Sequence, residues 1–154
     1  MGYATKYLSN PPRVRVFLAS PLSSANSTWT TITWSATDGS NYETMWTSGS
    51  RVSCKAAGRY LVTYQAGFAA NSTGYRFIQV RKNSAGSVAS GIGVAASRLP
   101  HVGSSSAYVT GAFEVTANGG DYFELFAFQS SGGALDINGG VGETFLSARW
   151  VAVD

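Results

Sequence analysis

Residues 58–68 read Gly58-Arg59-Tyr60-Leu61-Val62-Thr63-Tyr64-Gln65-Ala66-Gly67-Phe68. Tyr60, Val62, Tyr64, Ala66 and Phe68 recur at every second position, so an extended chain places all five on one face. That alternation marks a strand with one buried side. The same period runs outward in both directions. Residues 75–82 set Ile78 and Val80 against Tyr75, Phe77 and Gln79. Residues 13–19 alternate Arg13 and Arg15 with Val14 and Val16 before Phe17-Leu18. Residues 28–37 set Trp29, Thr31 and Thr33 against Thr30, Ile32 and Trp34, and 51–55 form a short strand. Residues 86–97 are small and glycine-rich, which suits a weak or edge strand. Residues 107–116, 121–129 and 144–153 complete the set.

Turn-forming clusters separate these runs. They are Asp38-Gly39-Ser40-Asn41, Asn71-Ser72-Thr73-Gly74, Asn83-Ser84-Ala85-Gly86, Asn118-Gly119-Gly120-Asp121 and Ser130-Ser131-Gly132-Gly133. Short strands at this spacing predict an all-β sandwich or barrel. No segment shows a helical period, and no internal repeat is present.

Composition supports this. The chain has 154 residues, the size of one domain. Only 12% are charged and 44% are hydrophobic, which excludes a disordered chain and a coiled coil. The net charge is +3, and the longest basic runs are Arg13-Val14-Arg15 and Arg81-Lys82. A nucleic-acid binder gathers its cations on one face, so none is expected here. Cys54 is the single cysteine, flanked by Val52 and Ala56 at strand spacing, and reads as a buried structural thiol. No apolar run is long enough for a membrane span. Residues 1–12 lack the apolar core of a secretory signal, so synthesis in a cytoplasm is expected.

Residues 1–12 form an arm distinct from a domain at 13–154. The arm carries Tyr3, Tyr7 and Leu8 and ends in Asn10-Pro11-Pro12, where the prolines block both helix and ladder bonding. Its apolar side chains suit either attachment to a neighbouring chain or folding back on the domain.

Residues 121–128, Asp-Tyr-Phe-Glu-Leu-Phe-Ala-Phe, are apolar on both faces. Phe123, Leu125 and Ala127 make one face, and Tyr122, Glu124, Phe126 and Phe128 the other. A strand buried on both sides needs a second cover, and a subunit interface is the expected one. The last strand repeats the pattern, with Phe145, Arg149 and Val151 opposite Leu146, Ala148 and Trp150. Tyr122, Phe126, Phe128, Phe145 and Trp150 are therefore the expected interface residues.

Candidate chemistry is sparse. His101 is the only histidine and stands beside Pro100, without a nucleophile elbow anywhere in the chain. One histidine and one cysteine are too few for zinc. Glu114, Glu124 and Glu143 are the carboxylates from which a glycosidase pair would be drawn, though Glu124 is expected to pair with an arginine. Asp136-Ile137-Asn138-Gly139 lacks the ligand series of a calcium loop. The sequons at Asn26 and Asn71 read as a strand entry and a turn. Tyr42, Trp46 and Tyr108 lie in or near expected loops. Trp46 is the leading candidate for ligand contact by stacking on a sugar, against packing of its loop on the sandwich. No catalytic residue, cofactor or metal is expected.

The run Asn26-Ser27-Thr28-Trp29-Thr30-Thr31-Ile32-Thr33, followed by Arg51-Val52 and Gly58-Arg59-Tyr60-Leu61-Val62, resembles the C1q/TNF-like domains of bacteriophage structural proteins. So does Phe68-Ala69-Ala70-Asn71-Ser72-Thr73-Gly74-Tyr75-Arg76 with Arg81-Lys82-Asn83. The most specific pieces are Gly120-Asp121-Tyr122-Phe123-Glu124-Leu125 and Gln129-Ser130-Ser131-Gly132-Gly133-Ala134-Leu135. The resemblance spans residues 13–153. It implies a ten-stranded jelly roll, a homotrimer with aromatic strands around the three-fold axis, and a non-enzymatic virion protein. The implied role is decoration and stabilisation of a capsid, bound to the major capsid protein or another virion protein on the capsid exterior. The alternative is a receptor- or carbohydrate-binding knob of a tail or fibre. Two departures stand out. Trp34-Ser35-Ala36-Thr37 occupies the place where relatives carry acidic residues, which leaves a cation or ligand site there without its acids. Asn83-Ser84-Ala85-Gly86 replaces a tight Asn-Gly turn, which implies a longer hairpin loop.

Overall fold

The computed structural model describes residues 7, 9–100 and 103–153. Within them are twelve strands: β1 (Arg13–Phe17), β2 (Leu22–Ser24), β3 (Thr30–Thr31), β4 (Ala36–Thr37), β5 (Val52–Ser53), β6 (Gly58–Phe68), β7 (Tyr75–Lys82), β8 (Ile92–Pro100), β9 (Ala107–Ala117), β10 (Tyr122–Gln129), β11 (Leu135–Ile137) and β12 (Phe145–Ala152). They form two antiparallel sheets. The seven-stranded sheet runs β2-β11-β6-β12-β1-β4, with β9 on the other edge of β6. The five-stranded sheet runs β3-β10-β7-β8, with β5 also on β10. Consecutive strands repeatedly switch sheets, which is the jelly-roll arrangement.

The inward face of each long strand follows the alternation of the sequence. From the seven-stranded sheet come Tyr60, Val62, Tyr64, Ala66, Phe68, Val14, Val16, Leu146 and Ala148. Ile78, Val80, Phe123, Leu125 and Ala127 meet them from the five-stranded sheet. Phe123 anchors the contact, edge-on to Tyr60 at 6.3 Å and to Phe113 at 6.5 Å between ring centroids. Such pairs add about 1 kcal/mol each to the burial of their area. Gly58 opens β6 because only glycine fits there. Its φ is +137°, and a Cβ would stand 2.5 Å from the Trp150 indole nitrogen. The indole then donates to Ala57 O at 3.1 Å.

Residues 28–37 depart from the expected single strand. β3 pairs with β10 in one sheet and β4 with β1 in the other. The chain crosses between sheets at Ile32 and Trp34, both buried, and Trp34 forms a bridge with Gly49. The strand expected within 86–97 is displaced to β8, and residues 83–91 become a loop.

The arm is fastened to the domain at Tyr7. Its ring lies 5.9 Å from Trp150 and is 4% exposed. Of the two uses expected for this side chain, the structure shows folding back on its own chain, because a ring packed against Trp150 has no surface to offer a neighbour. Tyr3 and Leu8 lie outside the described residues.

Candidate interaction surface

The two sheets turn different outer surfaces to solvent. The outer face of the five-stranded sheet is covered by the chain itself. Trp29 lies over Phe77 and Phe128 at 5.0 and 5.4 Å, and Tyr75 stacks on Phe128 at 5.6 Å. The Arg98 guanidinium sits 3.8 Å over the Tyr75 ring, and that of Arg51 sits 4.5 Å over Tyr122.

Glu124 ties two loops onto the same face. Its carboxylate accepts hydrogen bonds from Ser50 Oγ and Ser84 Oγ, both at 2.6 Å, and from Gly86 N at 2.9 Å. The Arg51 Nε is 3.7 Å away, which meets the expectation of an arginine partner. Asn83 and Ala85 in the anchored loop adopt φ of 57° and 51°, a conformation unfavourable for non-glycine residues that the surrounding bonds must hold. Tyr122 adds to that hold, since its hydroxyl accepts from Ala85 N at 3.0 Å.

Burial alone would raise the Glu124 pKa, but the Ser50, Ser84 and Gly86 hydrogen bonds and the Arg51 charge outweigh it and hold the carboxyl below its ordinary value. A depressed pKa means that the group stabilises the fold above the unfolded-state value near 4.5 and ceases to do so as pH falls through the folded-state value. Glu124→Gln is therefore expected to cost about 2–4 kcal/mol at pH 7, where charge-assisted bonds are lost. Urea unfolding of both proteins at successive pH values checks this. The gap between them closes as pH falls below about 4.5 and through the folded-state value.

This covering corrects the expected interface. Phe126 and Trp150 are 1% and 3% exposed within a single chain. Neither has area left to give to a neighbour. Tyr122 and Phe128 are half-buried under contacts from their own chain. The second face of β10 is thus covered in part by Trp29 and by the loops tied to Glu124, all from its own chain. Among the five residues, Phe145 alone lies on the outer face of the seven-stranded sheet.

That outer face is organised in rows. The first row is Arg13, Arg149, Leu61 and Glu114, on β1, β12, β6 and β9. The second is Arg15, Ser147, Thr63 and Ala112, and the third is Phe17, Phe145, Gln65 and Thr110. The Arg15 guanidinium lies 4.0 Å over Phe145 and donates to Val141 O at 2.8 Å. Gln65 Nε2 donates to Gly142 O at 2.7 Å, and Tyr108 donates to Glu143 at 2.8 Å. Residues 138–144 therefore lap one end of the face. The other end is open. Leu61 and Val151 are each 38% exposed there, while Tyr108, 44% exposed, stands on β9 at the lapped end. Ser147, Thr63 and Ala112 make the middle shallow, so a flat partner can approach closely.

Trp46 does not project as a ligand platform. Its indole donates to Gly49 O at 3.0 Å, Asn41 Oδ1 accepts from its backbone nitrogen at 3.1 Å, and its ring packs against the core. It holds the long loop between β4 and β5, which answers the packing side of that expectation. Cys54 is buried, and burial, with the Asp121 charge adding, pushes its thiol up to about 12. It stays protonated and unreactive. The three candidate glycosidase carboxylates are separated. Glu124 lies under the five-stranded sheet's outer cover, while Glu114 belongs to the opposite face of the sandwich and Glu143 to the loop lapping it. Among the described residues no group of three metal-ligating side chains occurs, and no helix is long and apolar enough to cross a membrane. His101 lies outside the described residues.

No family model and no curated protein matches the chain. Solved structures do. The chain is similar to Eiger TNF from S. frugiperda, with a TM-score of 0.71 at 11% identity over 94% of each chain. It is similar to murine APRIL at pH 5.0, with a TM-score of 0.67 at 13% identity over 92% of this chain and 100% of the other. The globular domain of zebrafish complement 1qA protein gives 0.60 at 14% identity over 93% and 99%. The fold is thus a C1q/TNF-like jelly roll.

Proposed function

We propose that this chain is a non-enzymatic structural domain that forms a homotrimer through the outer face of its seven-stranded sheet and decorates a bacteriophage capsid. One observation carries the assembly. Of the two outer faces, this one is left open by its own chain, with Leu61, Val151 and Tyr108 exposed around a shallow centre. An exposed apolar patch with a polar rim is what a subunit contact requires. The virion role rests on the resemblance carried by residues 26–33, 68–76 and 120–135. Attachment to the major capsid protein falls to the arm ahead of Tyr7, with Tyr3 as its apolar anchor, since Tyr7 itself is occupied by Trp150.

The test is co-sedimentation of the protein with empty capsid shells, followed by electron microscopy of the particles. The untruncated chain is expected on the shell exterior in trimeric knobs. A truncation lacking residues 1–6 is expected to keep its fold, because Tyr7 is retained, and to lose most of its shell binding. Density on the tail or a fibre instead would favour the receptor- or carbohydrate-binding reading. That reading has its own support in the Trp29, Tyr75, Phe77 and Phe128 cluster, whose half-buried rings suit stacking against an apolar ligand face.

A further inference from the structure

The open face is electrically lopsided. Arg13, Arg15 and Arg149 stand on β1 and β12 at one flank, and Glu114 stands on β9 at the other. Glu143 is held to the same acidic flank by Tyr108. Arg13 and Arg149 are directly opposite each other on neighbouring strands, an arrangement that costs stability unless an anion answers it. Arg13 is partly answered, by Asn10 Oδ1 at 2.8 Å and by the Tyr42 ring at 5.5 Å. The Arg149 side chain makes no hydrogen bond or ion pair among the described residues, and it edges a recess lined by Tyr7, Pro11, Trp150 and Val151. Among the described residues Glu114 pairs only with Arg59, at 3.6 Å, and both side chains are about half exposed, a geometry that holds little energy.

We infer that Arg149 of one subunit pairs with Glu114 of the next, and that this pairing sets the head-to-tail register of the ring. The inference rests on the trimer reading above and specifies its contact. A closed ring of identical chains brings unlike flanks together, the β1–β12 flank of one copy against the β9 flank of its neighbour. Here those flanks carry opposite charge, so each interface of such a ring is complementary. Leu61 lies between Arg149 and Glu114 in the same row, so an apolar contact borders the pair.

Charge reversal tests this. Sedimentation equilibrium would be run on the wild type, Arg149→Glu, Glu114→Arg and the double reversal, with thermal melts to confirm that each is folded. Each single reversal is expected to weaken assembly at least about tenfold, and the double reversal to return to within about threefold of wild type. Wild-type assembly is also expected to weaken at least about threefold between low and high salt, as an interfacial pair near the rim is screened. Single variants that assemble like wild type, a double reversal no better than the singles, or a salt-independent wild type would each overturn the pairing while leaving the trimer standing. A wild type that never assembles would overturn the trimer itself, and the pairing with it.

Discussion

Phe126→Asp is expected to abolish folding, not merely assembly. Phe126 is 1% exposed on the second face of β10, between Gln79 of β7 and Thr31 of β3 in the ladder. Removing a buried phenylalanine costs about 3–5 kcal/mol. Placing an uncompensated carboxylate in its stead adds several more. Together these equal or exceed the roughly 5–15 kcal/mol that holds a domain of this size. Far-ultraviolet circular dichroism and a thermal melt check it. The variant should show no cooperative transition, whereas Phe126→Leu should keep one with a loss of about 1–2 kcal/mol. A Phe126→Asp protein that melts like wild type would mean that this face of β10 is open to water.

Leu61→Asp should do the reverse. Leu61 points outward from β6 and is 38% exposed, so its replacement in the single chain should cost only about 1–2 kcal/mol, from the poor strand propensity of aspartate and its place opposite Glu114. Its effect belongs to the assembly. In the proposed contact an aspartate loses the apolar burial, must be stripped of water, and draws Arg149 away from its partner across the interface. A penalty of about 2–5 kcal/mol per contact corresponds to a loss of affinity from about thirtyfold to several thousandfold. Size-exclusion chromatography with light scattering should find a monomer that still melts cooperatively under dilute conditions. Retention of the wild-type mass would place the subunit contact elsewhere on the molecule.

The contrast between these two positions shows what the sequence discloses and what it withholds. The long strands β6, β7, β9, β10 and β12 are legible because alternation persists over many residues and one face of each is apolar throughout. The short strands β2 and β11 are not. Leu22-Ser23-Ser24 and Leu135-Asp136-Ile137 pair only with each other and with the end of β6, and their residues have no local period to reveal it. The split of residues 28–37 between sheets was equally hidden, since alternation is unchanged when a chain crosses a sandwich.

The face of β10 is the more instructive case. Alternation correctly assigns Phe123, Leu125 and Ala127 to one side and Phe126 to the other. It carries no information on what covers the second side. That cover comes from Trp29 and from loops holding Ser50 and Ser84, all distant in sequence from β10. For β12, Phe145 and Trp150 lie on opposite faces, so only one of the two was available to a neighbour. The open face itself, with its exposed Leu61 and its cations gathered on one flank, depends on the register of four strands and emerges only from the pairing. Glu124 was identifiable as an arginine partner, but its role in fastening two loops was not, because hydroxyl and amide donors leave no pattern in sequence.

The most direct test of the proposed assembly is the mass of the unmodified protein in solution. Sedimentation equilibrium at micromolar concentration and physiological salt should give three times the 16.2 kDa chain mass. A single-chain mass that persists as concentration is raised would contradict it.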